Sequence, residues 1–268
     1  WNPSKNKMAL GFYYTTKVTK PFITKCDPKH SSIAALNERG GLADSVVYRA
    51  HSPTGLPADT RLEMLVMATL FVCGGGYTHA DVATWCRMMR GQPTAIIVVG
   101  NCDPLTAVPY AERPTVFREL NSRRAVGTSH ARYGHLHNKF MLWKLPFDKI
   151  AYYDLDVVVK PPVNRCADMC TSPMCAVRDP VATWPRKVKT YFNGGVMVIT
   201  PNRAEYNALR GKSTSGKTFA EQDVLNEHFA NRWQKLPKEC NWLHHDQNRP
   251  SALTDADVWA VHVGRKWR

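Results

Sequence analysis

From Leu62 onward the chain alternates short continuous apolar runs with segments whose apolar positions recur at helical spacing, punctuated by glycine and proline. Met64–Cys73 reads as a strand buried on both faces, followed by a tight turn at Gly74-Gly75-Gly76. Tyr77 to Arg90 carries Ala80, Ala83 and Met88 at helical spacing, and Thr94–Gly100 is a second buried strand. Strand, glycine turn, helix and strand make a βαβ unit whose two strands are parallel. His137–Leu145 reads as a helix ended by Pro146, and Lys149–Val159 as a buried strand stopped by Lys160-Pro161-Pro162. Tyr191–Ile199 is a strand split by Asn193-Gly194-Gly195, where a bulge or a ligand meeting the backbone is expected. Thr200 and Pro201 read as the N-cap and first residue of a helix running through Arg210, followed by a loop over Gly211–Lys217. Phe219–Phe229 reads as an amphipathic helix and Val258–His262 as a closing strand.

Residues 1–61 lack this rhythm. Leu10–Thr16 reads as a strand, Pro28–Asn37 as a short helix and Ser52–Pro57 as loop, together an N-terminal arm of uncertain structure. The expected division is therefore an arm over 1–61 and a catalytic domain over 62–268.

Composition adds limits. A chain of 268 residues with 44% hydrophobic and 10% aromatic content is globular and long enough for one α/β domain with an appendage. Its longest apolar run, Met64–Cys73, is too short to span a bilayer and too far from the N-terminus for a signal peptide. The net charge of +14 suits a phosphate-bearing small substrate, an acidic membrane surface or nucleic acid. The basic residues are dispersed, with no run of five, and the aromatics fall within apolar strands; nucleic acid is accordingly disfavoured. The eight cysteines permit disulfides, and the spacing of Cys166, Cys170 and Cys175 is not the C-x-x-C pairing of common zinc sites. No Asn-x-Ser/Thr acceptor occurs, which tilts the choice between cytoplasm and Golgi lumen towards the cytoplasm.

The stretch Lys149–Val159 carries the chemistry. Asp154 and Asp156 interrupt its far end, and strand residues two apart share a face, so both carboxylates reach one cation at the carboxyl edge of the sheet. Two buried like charges repel and are costly to desolvate; a divalent metal relieves both problems.

Four ordered blocks extend this reading: Asn138-Lys139-Phe140-x-x-Trp143-x-Leu145, Lys149-Ile150-x-Tyr152-x-Asp154-x-Asp156, Phe192-Asn193-Gly194-Gly195-Val196 and Phe219-Ala220-Glu221-Gln222-Asp223-x-Leu225-Asn226. A weaker fifth is His262-x-Gly264-x-Lys266-Trp267. In these blocks the chain resembles the retaining glycosyltransferases of the glycogenin and galactinol synthase family. The resemblance implies an α/β, Rossmann-like mixed sheet of the GT-A nucleotide-sugar transferase type, a UDP-sugar donor and Mn²⁺, with Mg²⁺ as the other candidate. It implies Asp154, Asp156 and His262 as metal ligands; Lys139, Asp179, Gly264 and Lys266 around the nucleotide sugar; and Asn193, Glu221 and Gln222 facing donor sugar and acceptor. The acceptor is a sugar, polyol or protein, and homodimerisation and membrane contact stay open. Two other readings compete: a nucleotide-sugar-binding protein without turnover, and a basic nucleic-acid-binding nuclease using the paired aspartates.

The tail departs from the usual family ending His-x-x-Gly-x-x-Lys-Pro-Trp, being shorter and lacking the proline. Either Arg265 or Lys266 then faces the diphosphate. Arg265→Ala and Lys266→Ala are expected to be unequal: one lowers kcat or raises the donor KM by about 10–100-fold, the other is near neutral. Normal turnover by a chain cut after Gly264 contradicts this and weakens His262 as a ligand.

Overall fold

The computed structural model describes residues 62–119, 135–180, 190–213, 220–243 and 257–264. The arm over 1–61, Cys26, Phe219 and the tail residues Arg265 and Lys266 lie outside the described residues.

The chain builds a seven-stranded mixed sheet in the order β3-β2-β1-β4-β7-β6-β8 and a three-stranded sheet in the order β5-β10-β9. In the large sheet β1 (Leu62–Val72), β2 (Thr94–Val99), β3 (Thr115–Glu119) and β4 (Phe147–Tyr153) run parallel. β7 (Phe192–Ile199) is antiparallel to both β4 and β6 (Met174–Arg178), and β8 (Gln234–Leu236) lies parallel to β6 at the edge. The small sheet joins β5 (Val157–Val159), β9 (Trp242–Leu243) and β10 (Ala260–His262).

Both faces of the large sheet are covered, as the near-continuous apolar strands require. Along β1, Val66, Ala68, Leu70 and Val72 enter one core while Met67 and Phe71 enter the other. The second core is closed by Val82, Trp85 and Cys86 of α1 (His79–Met88). The helix begins two residues later than expected, because Thr78 caps it: Thr78 N donates to Asp81 Oδ2 at 2.7 Å, and Asp81 N to Thr78 Oγ1 at 3.4 Å. The first core is closed by the segment His135–Lys144 and by α3 (Arg203–Ser213) and α4 (Glu221–His228). A short α2 (Arg165–Asp168) packs near β4.

Further expectations need correction, among them the loop expected from Gly211, since α3 runs on through Ser213. His135–Lys144 winds as a 3₁₀ helix; every residue from His137 to Trp143 is buried, so packing rather than an amphipathic stripe sets its winding. The helix after β7 starts at Arg203, because Asn202 Oδ1 accepts from Ala204 N at 2.8 Å and Glu205 N at 3.2 Å, while Thr200 N is held by Pro173 O at 2.8 Å. Lys149–Val159 is not one strand. β4 ends at Tyr153, Asp154-Leu155-Asp156 turns, and β5 joins the other sheet. Val157 N donates to Asp154 O at 3.0 Å, closing that turn.

The interruption expected at Asn193-Gly194-Gly195 is present as a register shift, with Ala176 opposite Met197 but Arg178 opposite Phe192. Disulfides join Cys73–Cys102, Cys166–Cys240 and Cys170–Cys175, while Cys86 is free and buried. No helix among the described residues is long and apolar enough to cross a membrane.

Candidate metal and nucleotide-sugar site

At the carboxyl edge of β4 the turn presents Asp154 and Asp156, and β10 delivers His262 beside them. One donor atom from each of the three lies within 4.8 Å of the other two. The two aspartates converge through a turn rather than by strand alternation. Asp154 N donates to Gly195 O at 2.8 Å and Val263 N to Asp156 O at 2.9 Å, so β7 and the end of β10 fix the turn from two sides.

Gly195 makes room for the histidine: a Cβ there would stand 2.3 Å from His262 Cε1 and 2.5 Å from Nδ1. His262 Nε2 lies 3.4 Å from Asp156 Oδ1, and its buried Nδ1 has no hydrogen-bond partner among the described residues. Burial alone would lower the His262 imidazole, but hydrogen bonding to Asp156 and the charges of Asp154 and Asp156 raise it above its ordinary value. Burial pushes the Asp154 carboxyl up, against the pull of Lys139 and His262. Tyr77 joins from the loop after β1. Burial, then the charges of both aspartates and a hydrogen bond to Asp156, push its hydroxyl far above the usual range. Two carboxylates and an imidazole in partial burial are a donor set that suits Mn²⁺ or Mg²⁺.

Behind the triad sits Lys139. A lysine at the start of a helix is ordinarily solvated, yet this one is 1% exposed. Its Nζ donates to Gly194 O at 3.1 Å and pairs with Glu221 Oε1 at 3.1 Å and Asp154 Oδ1 at 3.2 Å. It also lies 5.0 Å over the ring of Tyr152, whose hydroxyl donates to Asp154. Burial works against its charge, but Asp154 and Glu221 outweigh that and hold the ammonium protonated. Glu221 therefore does more than complement the dipole of α4: it is the counter-ion of a buried cation.

Asp179, Asn193 and Gln222 form the other half of the site. Asp179 Oδ2 accepts from Asn193 Nδ2 at 3.2 Å and Gln222 Nε2 at 3.0 Å, while Gln222 Oε1 accepts Gly194 N at 2.8 Å. Asn193 Oδ1 accepts from Gly195 N at 2.9 Å and from Asn241 Nδ2 at 2.8 Å, which sets the orientation of its amide. Gly264 follows β10 in a left-handed conformation at φ 64°, and Lys266 lies outside the described residues. Sequence reasoning missed Tyr77, Tyr152 and Asn241 as site residues. The glycine turn was a signal for Tyr77; nothing in the sequence singles out Asn241.

The sequence model described as glycosyl transferase family 8 matches residues 106–262, more than half of the chain. The chain belongs to glycosyl transferase family 8. Among its relatives, a glycogenin of Neurospora crassa is 37% identical over 101 residues, covering 37% of this family 8 chain and 14% of that protein. Galactinol synthase 1 of Solanum lycopersicum is 28% identical over 125 residues, covering 40% of this chain and 39% of the relative. The match thus spans less than half the length of both. Among solved structures, an active-site mutant of LgtC superposes with a TM-score of 0.57 at 14% identity, covering 75% of this chain and 88% of that one. That likeness shows the fold, and the GT-A expectation is met.

Two substitutions test the geometry. Gly195→Ala displaces the His262 ring and is expected to weaken Mn²⁺ binding by about 10–100-fold with the far-UV circular dichroism retained; unchanged Mn²⁺ affinity contradicts the close fit. Asn241→Asp, which sets oxygen against Asn193 Oδ1, is expected to lower kcat further than Asn241→Ala, whose loss corresponds to about 1–3 kcal/mol. Equal kcat for the two variants contradicts the assigned amide orientation.

Proposed function

We propose that residues 62–268 form a metal-dependent, retaining glycosyltransferase that moves a hexose or related sugar from UDP to a hydroxyl-bearing acceptor: a sugar, polyol or protein. The observation that carries the reading is the meeting of Asp154, Asp156 and His262 within 4.8 Å, next to a buried lysine. Asp154, Asp156 and His262 would hold Mn²⁺ or Mg²⁺, which when bound supplies Lewis-acid stabilisation to the departing diphosphate.

The protein groups have separable tasks. Lys139 adds a fixed positive charge beside Asp154 in a site of low exposure, where such a charge acts more strongly than in water. Glu221 and Tyr152 hold Lys139 and Asp154 in place. Asp179, Asn193 and Gln222 offer oriented oxygen and N–H groups at hydrogen-bonding distance from one another, the equipment for gripping sugar hydroxyls. Lys266 or Arg265 of the tail would neutralise the diphosphate, and Gly264, in the left-handed region at φ 64°, would supply a turn before them. Family membership favours this reading over the nuclease, and turnover separates it from mere nucleotide-sugar binding. Three disulfides among the described residues support an oxidising compartment such as the Golgi lumen, against the cytoplasmic lean drawn from the missing glycosylation acceptors.

A panel of UDP-sugars assayed with and without Mn²⁺ identifies the donor through metal-dependent hydrolysis. Asp154→Asn and Asp156→Asn are each expected to lower that turnover at least about 100-fold with the fold intact. Wild-type metal affinity and turnover in either variant contradict the assignment.

A further inference from the structure

β1 and β2 run side by side, with Val72 opposite Val99, and both end at the carboxyl edge of the sheet. That edge is where open α/β sheets bind their ligands. The chain leaves β1 through Cys73 and the glycine loop, and leaves β2 through Gly100, Asn101 and Cys102. A disulfide joins the two exits across a Cα–Cα distance of 5.9 Å.

The two sides of this bridge differ in how firmly they are held. On the β2 side, Gly100 N donates to Glu119 O at 2.8 Å, and Arg118 Nη1 donates to Gly100 O at 3.0 Å and Cys102 O at 2.7 Å. Gly100 itself sits at φ 97°, and a Cβ there would stand 3.0 Å from Cys73 Cβ and 3.3 Å from its Sγ. The backbone is thus shaped around the bridge. On the β1 side, Cys73 N donates to Val99 O at 2.9 Å and Gly75 N to Val72 O at 3.0 Å, and three successive glycines follow. Glycines lose the most backbone freedom when ordered, so such a loop gains most from an external anchor. The loop leads directly to Tyr77, which packs beside the turn that carries Asp154 and Asp156 and faces their charges. Cys73, Tyr77 and Cys102 pack on the same core as Leu155 and Val157, the two neighbours of Asp156.

We propose that the Cys73–Cys102 disulfide is a positioning element of the nucleotide-sugar site, transferring the rigidity of the β2–β3 edge to the glycine loop so that Tyr77 stays packed beside the Asp154-Leu155-Asp156 turn. This rests on the reading of the site as a UDP-sugar site. The bridge is also the one a reductant reaches first. Cys166, Cys240, Cys170 and Cys175 are 3%, 0%, 3% and 0% exposed, whereas Cys73 and Cys102 are half-buried. A dithiol that gives two electrons and two protons breaks the S–S bond, leaves two cysteine thiols and becomes a disulfide itself. The loop then loses its tie to β2.

The test uses the full chain, UDP with Mn²⁺ as the probe, and two readouts. By calorimetry, Cys73→Ser/Cys102→Ser is expected to raise the Kd for UDP about tenfold and the donor KM in step, with kcat nearly unchanged, because the bridge pre-orders the loop for binding. Cys170→Ser/Cys175→Ser leaves UDP affinity as in the wild type. The second readout needs no variant: dithiothreitol reduction of the wild type, followed by alkylation and peptide mass spectrometry. Binding and reduction are linked, so saturating UDP and Mn²⁺ are expected to slow reduction of Cys73–Cys102 several-fold and leave the other two bridges unaffected. Wild-type UDP affinity in the Cys73→Ser/Cys102→Ser variant, or a Cys73–Cys102 reduction rate indifferent to UDP, overturns the proposal while the donor reading stands. Oxidised wild type that binds no UDP with Mn²⁺ overturns the donor reading, and the role of the bridge falls with it.

Discussion

Negative charge held out of water is the constraint around which this molecule is arranged. Asp154, Asp156 and Glu221 converge in a region of low exposure, and among the described residues one lysine and one imidazole stand against them. Lys139 is ion-paired on both sides, so replacing either partner leaves a buried charge poorly compensated, a change that typically costs several kcal/mol. His262 answers Asp156 in the same way, its affinity for a proton raised by the carboxylates it faces. A pocket that draws protons onto its histidine also draws a divalent cation, since both relieve the same repulsion.

The scaffold supplies the convergence by joining two sheets. β4 brings Tyr152 from the large sheet, the turn after it presents Asp154 and Asp156 and leads into the small one, and β10 returns His262 against β5. Small residues allow the close approach. Gly195 leaves the space that the imidazole fills, and Gly194 turns its carbonyl to Lys139 and its N–H to Gln222. Most buried polar groups of the site therefore answer one another, as a site needs if its side chains are to hold still during chemistry.

The sequence was most informative where a pattern was long and its physics simple. The βαβ unit from Met64 to Gly100 and the strand at Phe192–Ile199 follow from apolar periodicity, because strands covered on both faces have to be apolar throughout. The Asp154, Asp156 and His262 grouping was legible as residues but not as geometry. An Asp-x-Asp at the end of an apolar run looks the same whether the strand continues or turns, and only the pairing of β5 with β10 decides. Burial of Lys139 was illegible for a related reason. Its environment comes from Gly194 and Glu221, 55 and 82 positions away, and no local pattern records such distances. Asn241 was hidden similarly, being one amide in a short segment whose partner Asn193 is 48 positions upstream. The glycosyltransferase resemblance bridged part of this gap by supplying an order of blocks that periodicity alone does not.

The central claim is that Asp154, Asp156 and His262 hold one divalent cation that a nucleoside diphosphate shares. Titration of the purified chain with Mn²⁺, followed by the electron paramagnetic resonance of free Mn²⁺ with and without UDP, addresses it most directly. One Mn²⁺ should bind per chain, and UDP should tighten it by the factor by which Mn²⁺ tightens UDP. His262→Ala should abolish that tight site. A chain that binds no Mn²⁺, or whose Mn²⁺ affinity ignores both UDP and the loss of His262, contradicts the account.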